Sequence, residues 1–316
     1  MTDGICLRGL DGSNPLAFLA ALGVLRGLTL ESERRAETSG RSDDGPGEPV
    51  RMWWTQERGV WTPWVGQPGL EQGTMIELLC DAVRREACHP TLLLGDNFAC
   101  TPEEYRAHAE MLHRDGQSVD LLSALGTDGA VDDDGLCIDT AFRTMRGAGH
   151  QHFLKTMRSA LASTSAEHIE RTVMRSWDYA DPVKSMSLRI DPLDDRRYAH
   201  QWTDPSGDPT RAERGGMTGA TALAVLGLAM YPVVVSRGAA RTVGFRSSRE
   251  HGVEWTWPIW AGRVALGVAG AMLALPELQT DKADRRVLGR RGIVDVSRSR
   301  PITNGKFRNF APAESV

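Results

Sequence analysis

Two blocks of this chain carry no charge, and the stretches between them mix polar and apolar positions more ordinarily. The first, residues 15–25, lies within LRGLDGSNPLAFLAALGVLRGL; the second, residues 215–235, is GGMTGATALAVLGLAMYPVVV. The first predicts a helix. DGSN is turn chemistry, Asn14 is placed to accept from the free N–H groups of a helix start, and Pro15 sits where its missing N–H costs nothing. Apolar residues fall on nearly every side of this helix, so it is expected to be enclosed rather than laid on a surface. Gly23 inside it costs about 1 kcal/mol against alanine, which a close backbone contact would offset. The second block reads as a buried helix feeding a buried strand at its β-branched end. Neither reads as a membrane span. The first has about 11 uncharged residues against the ~20 a bilayer requires, and the second, though longer, contains glycines, threonines, a tyrosine and Pro232.

The rest of the pattern fills in around these blocks. Residues 5–10 read as a short strand, and residues 31–49 as a polar, Gly/Pro-containing mobile insertion. VRMWWTQERGVWTPWV predicts a hairpin with tryptophans on both arms. Two helices carry capping-box spacing, Thr74 with Glu77 and Thr101 with Glu104. The first has Ile76, Leu79, Cys80 and Val83 as its stripe. The second has Pro102 at its first position and Tyr105, Ala109 and Leu112 on its face. GTDGAVDDDG reads as a loop, LCIDTAF as a strand, and HQHFLKTMRSALA and AEHIERTVMRSW as helices. SMSLRI alternates like a strand. Further strands are expected at YPVVVS, RTVGF and VEWTWPIW, a last apolar helix over about 264–275, and a basic, irregular tail over 285–316. Strands come in groups rather than in strict alternation with helices. The expected fold class is therefore mixed α+β, with clustered antiparallel strands packed on buried apolar helices. One unit over 1–316 is expected, with 1–163 and 164–316 as its possible N- and C-terminal parts.

Composition alters this picture little. Of 316 residues, 41% are hydrophobic and 25% charged, an ordinary globular balance. A net charge of −4 excludes a globally basic nucleic-acid coat, so any anion-binding surface must be local. Five widely spaced cysteines without a CxxC argue against a disulfide framework and a cysteine zinc site. Free thiols and the absence of a basic-then-apolar start predict a cytoplasmic protein without a signal peptide.

The chemistry legible in the sequence is anion-facing rather than catalytic. VDDDGL lacks the ligand spacing of a calcium loop, and the closely set His150 and His152 have no HExxH context. No nucleophile elbow, phosphate loop or dinucleotide fingerprint occurs, so no catalytic residue, metal or cofactor is expected. RTMRGAGHQHFLKTMR places Arg143, Arg146, His150, Lys155 and Arg158 around a glycine loop leading into a helix N-terminus, where backbone N–H groups can face a phosphate. A basic exposed helix face explains the same residues. RIDPLDDRRYAHQW interleaves Arg189, Arg196 and Arg197 with Asp191, Asp194 and Asp195, so internal ion pairs compete there. The tail RRVLGRRGIVDVSRSRPITNGKFRNF offers Arg290, Arg291, Lys306 and Arg308, with Phe307 and Phe310 for base stacking and only Asp295 as an acid. Docking to a protein partner would use the same tail. The nine tryptophans read mainly as core, with protein–protein contact as the other use of Trp and Arg together.

Three spans carry a family pattern: LRGLDGSNPLAFLAALGVLR, RIDPLDDRRYAHQWTDPSG, and GATALAVLGLAMYPVVV continuing through TVGF to WTWPIW. Together, from about residue 5 to 275, they resemble CRISPR-associated proteins of subtype I-G (formerly I-U) systems of bacteria. The match covers either the large subunit of the crRNA-guided surveillance complex or the extension family of its helicase-nuclease. Where that family has Asn-Arg after Gly-Ala, this chain has Thr221 and Ala222. The resemblance implies a non-catalytic subunit of an antiviral effector. Its partners would be the other effector subunits, crRNA and target DNA, and no membrane. In guided systems base pairing reads sequence, while protein reads a short duplex motif and steadies the opened strands. A protein-binding adaptor, or a metal-dependent hydrolase using His150 or His152 with a carboxylate, are the alternatives from other classes.

Overall fold

The computed structural model describes residues 4–38, 48–144, 152–181, 186–194, 215–236, 238–248, 252–304 and 307–316. In chain order these form β1 (Ile5–Cys6), α1 (Pro15–Thr38), β2 (Arg51–Glu57), β3 (Val60–Gly66), α2 (Gln72–Ala87), α3 (Pro102–Arg114), α4 (Asp120–Leu125), β4 (Gly126–Val131) and β5 (Cys137–Asp139). Then follow α5 (Phe153–Ser163), α6 (Ala166–Met174), α7 (Thr218–Leu228), β6 (Val233–Ser236), β7 (Ala239–Thr242), β8 (Phe245–Ser248) and β9 (Gly252–Trp260). The chain closes with α8 (Leu266–Leu273), α9 (Arg285–Gly289), β10 (Ile293–Ser299), β11 (Pro301–Asn304), β12 (Phe307–Phe310) and β13 (Glu314–Ser315). The class is α+β. All named strand pairs are antiparallel, in a three-stranded sheet β1-β3-β2, a four-stranded sheet β13-β10-β9-β8 and three hairpins.

Helix α1 is the axis of the core. Asn14 Oδ1 accepts from Leu16 N at 2.9 Å and Ala17 N at 3.1 Å, the expected cap. From Pro15 to Thr29 every residue is buried. One face meets α7 at backbone distance. A Cβ on Gly23 would lie 1.8 Å from the Leu223 carbonyl oxygen, and one on Gly227 would lie 2.1 Å from that of Leu19. The two glycines face each other, and each makes the other's position possible. On another side the Phe18 ring is surrounded by the buried Trp54, Trp255, Trp257 and Trp260. One hydrophobic core takes residues from both halves of the chain. By length and composition α1 could cross a bilayer, but 83% of its apolar window is buried inside the protein. The second uncharged block gives an 11-residue buried helix and a four-residue strand, which is not buried as expected: Val234 and Val235 are exposed.

The Trp-bearing hairpin forms as expected, turning at Arg58 and Gly59, both at positive φ. The Thr101–Glu104 capping box closes in both directions. Elsewhere the structure corrects the expectation. Residues 31–38 are not a loop; they extend α1, because Glu31 is held by Arg34 and by a two-pronged contact from Arg85, while Arg35 reaches Asp81. That extension carries α1 past the length that residues 15–25 suggested. Helix α2 starts at Gln72 with Glu71 before it, two residues ahead of Thr74, and its buried side is Met75, Leu78, Leu79, Ala82 and Val83, with Ile76 and Cys80 half-buried. GTDGAV is a strand, paired with β5 through a turn in which Asp132 Oδ1 accepts from Asp134 N and Leu136 N.

Residues 186–191 form no strand. Leu188 and Ile190 are buried, but Arg189 has φ +57°, and the carbonyls of Leu188 and Arg189 are taken by Thr144 Oγ1 and Phe310 N. The tail is not irregular. Strand β10 lies between β9 and β13, with Ile293 and Val296 joining Leu278 and Leu288 in a small second core. Its arginine is drawn inward: Arg298 donates to Thr256 Oγ1 and to the carbonyls of Leu278, Thr280 and Asp281. Phe310 is buried against Phe142, Phe245 and Trp255, so it offers no ring to a base.

Candidate functional site

The glycine loop and helix start expected to receive a phosphate lead into α5, whose first N–H groups are already occupied. Phe153 N donates to Asn97 Oδ1 at 2.9 Å, and Leu154 N and Lys155 N both donate to the Asp96 carbonyl, at 3.0 and 3.2 Å. A helix start holds anions only with donors left over. Here the Asn97 side chain and the Asp96 carbonyl are the acceptors, while the Asp96 carboxylate meets Arg158. Arg158 donates to the carbonyls of Leu92 and Gly95 and to Asp96 Oδ1, clamping the same segment. Arg143 is engaged with Asp139 and the Phe98 carbonyl. Of this group Lys155 alone is exposed among the described residues. Arg146 and His150 lie outside the described residues. Arg143 and Arg158 are thus engaged within their own chain, holding the segment 92–98.

The second expected group fares differently. Helix α9 is capped by Asp284, whose Oδ1 accepts from Arg286 N and Val287 N. Leu288 points into the small core, which turns Arg286 and Arg290, four apart, to the outside. Both are exposed, as is Lys282, and none makes an ion pair among the described residues. Arg285 is tied to Ser315 Oγ, the Val316 carbonyl and Asp295, and Arg291 to Glu277. Arg308 is half-buried on β12, opposite Thr303. Lys306 lies outside the described residues. In this region the exposed cations without an ion pair among the described residues are thus Lys282, Arg286 and Arg290. The four-residue spacing of Arg286 and Arg290 marks a shared helix face.

His152 precedes α5, with its Nδ1 3.3 Å from Asn97 Nδ2 and 3.9 Å from Asp96 Oδ2. Ser165, His168 and Asp181 line up as hydroxyl, imidazole and carboxylate, but the contacts are those of a helix cap. His168 Nδ1 accepts from Ser165 N at 3.1 Å, which uses the lone pair a base would need, and Ser165 Oγ accepts from His168 N. Asp181 lies 3.7 Å from His168 Nε2 and is itself engaged by Arg171 and by Thr218 N at the start of α7. Cys100 is buried beside Cys137, and burial pushes its thiol up to about 12, far from a reactive thiolate. No group of three His, Cys, Asp or Glu side chains suited to a metal occurs among the described residues.

Asp181 makes a pH prediction. Burial alone would raise its carboxyl, but the Arg171 guanidinium, the Thr218 N–H and His168 more than offset this, and it lies below the usual Asp value. A depressed folded value stabilises fully above the unfolded pKa of about 4 and is lost as pH falls through the folded value. Urea unfolding is expected to give a falling midpoint below about pH 4 in the native chain. Asp181→Asn is expected to be less stable at neutral pH and to show a shallower acid slope. Equal slopes would remove Asp181 from this role.

Across the described residues, the spans that carry the family resemblance meet one another. Asn14 Nδ2 donates to Asp191 Oδ1 at 3.3 Å, Trp257 Nε1 donates to the Gly12 carbonyl at 2.9 Å, and Gly23 abuts Leu223 and Gly227. No family model, curated protein or solved structure matches this chain.

Proposed function

We propose that the chain is a non-catalytic subunit of a type I CRISPR surveillance complex, in contact with guide RNA or target DNA and with neighbouring subunits. The observation that carries the reading is the convergence just described: blocks separated by some two hundred residues, each shaped like the subtype I-G pattern, build a single core. Two surface features fit a subunit. Lys282, Arg286 and Arg290 form an outward cationic corner suited to a phosphate backbone. Helix α8, in a stretch uncharged from residue 264 to 276, leaves Gly267, Val268, Ala271 and Ala274 exposed, a face suited to a neighbouring subunit. That apolar face also favours the second reading, an adaptor that binds protein alone. Co-expression with the other subunits and guide RNA of a subtype I-G system tests the proposal, the expected result being elution of the chain with the ribonucleoprotein.

A further inference from the structure

Uncovered apolar surface is concentrated where two hairpins meet. Of the eight large apolar side chains exposed among the described residues, three are here: Val131, at the end of β4, and Val234 and Val235, side by side on β6, at 49%, 43% and 42% exposure. The hairpins touch, since a Cβ on Gly129 would lie 2.6 Å from Val235 Cγ2, and Val131 follows Gly129 two positions along β4. Consecutive strand residues point to opposite faces, so the exposure of both Val234 and Val235 means that β6 stands clear of the body on either side. Register sets Ala240 opposite Val235 and Arg241 opposite Val234.

Strand propensity accounts for β-branched residues at these positions. It does not account for valine in place of threonine, which suits a strand as well and keeps a hydroxyl in water. Exposed apolar side chains grouped in this way mark a contact surface. The charge beside them is mostly of one sign. Asp132, Asp133 and Asp134 follow Val131 directly, all three are exposed, and none makes an ion pair among the described residues. Beside β4, Arg106 on α3 meets Asp128 at 2.7 Å, which neutralises that cation, and Glu103 and Glu110 stand exposed one turn to either side of it. A phosphate backbone is repelled from such a surface. An apolar ridge with an acidic rim is complemented by a protein surface that has an apolar centre and lysine or arginine around it.

We infer that the ridge of Val131, Val234 and Val235, with the Asp132–Asp134 turn as its rim, docks a basic, apolar-centred segment of a neighbouring protein. The inference rests on the reading of the chain as a subunit, and names where a neighbour sits and what its surface carries. The first test is fluorescence anisotropy with the full chain at low salt. The probe is a labelled eight-residue peptide of alternating valine and lysine, compared with equal lengths of lysine alone and of alternating valine and glutamate. The valine–lysine peptide is expected to bind and the other two are not. Val131→Lys and the pair Asp133→Lys/Asp134→Lys are each expected to weaken it about tenfold. All three side chains are exposed, and unchanged urea midpoints establish that the variants fold. Equal binding of either comparison peptide, or no binding of the valine–lysine peptide, overturns the inference. So does self-association in sedimentation velocity that Val131→Lys abolishes, which makes a second copy the occupant. The second test places Val131→Lys in the co-expressed subtype I-G complex, where the variant is expected to elute free while the native chain stays with the particle. If both elute with the particle, the docking site is wrong and the subunit reading stands. If the native chain elutes alone, the subunit reading falls and the neighbour assigned to the ridge falls with it.

Discussion

Gly23→Val is expected to abolish cooperative folding or to cost well over about 3 kcal/mol, above the usual range for overpacking. The added Cβ would sit 1.8 Å from the Leu223 carbonyl oxygen, a backbone atom of α7 with no rotamer to yield. Relief requires separating α1 from α7 along the contact that also brings Gly227 to Leu19. Urea denaturation followed by circular dichroism measures the loss. Gly270→Ala is the matched control. A Cβ there meets nothing within 4 Å, and alanine in place of helical glycine is expected to gain up to about 1 kcal/mol. A Gly23 variant as stable as the native chain would mean that the two helices do not cross here.

The second large effect is expected from Phe18→Ala, at about 3–5 kcal/mol. The Phe18 ring stacks on Trp54 at 5.7 Å and Trp257 at 5.6 Å and meets Trp255 and Trp260 edge-on at 6.2 and 6.3 Å. Removing it opens a cavity among four fused rings that rotate little, so collapse recovers only part of the loss. Native-state tryptophan emission is expected to change with the fall in urea midpoint, since three of these tryptophans are fully enclosed and Trp54 nearly so. A loss below about 1 kcal/mol would show that the ring is not central to the packing.

What the sequence made legible was local. Asn14 caps, Gly23 needs a close neighbour, Thr101 pairs with Glu104, and Arg58-Gly59 turns a hairpin; each signal lies within a few residues of its effect. The errors arose where the deciding partner was distant. Residues 31–38 look unstructured until Asp81 and Arg85, 46 and 54 positions away, bind Arg35 and Glu31. The start of α5 looks open until Asn97, 56 positions earlier, fills it. The tail looks like a basic extension until β9 pairs with it along Trp255–Trp260. Charge count suggested an anion site at Arg143 and Arg158, whereas only packing reveals that both guanidiniums point at carbonyls and carboxylates of their own chain. At α9 the shared outward face of Arg286 and Arg290 follows only once Leu288 is seen to pack into the small core.

The most direct measurement for the central claim is size-exclusion chromatography of the 34.6 kDa chain co-expressed with the remaining subunits and guide RNA of a subtype I-G system. The account predicts that it elutes in a stoichiometric ribonucleoprotein. It also predicts that Arg286→Ala/Arg290→Ala weakens target-DNA retention on that particle at low salt and makes the remaining retention less salt-dependent, while Arg143→Ala does neither. Elution of the native chain alone, with an intact particle assembled without it, would contradict the account.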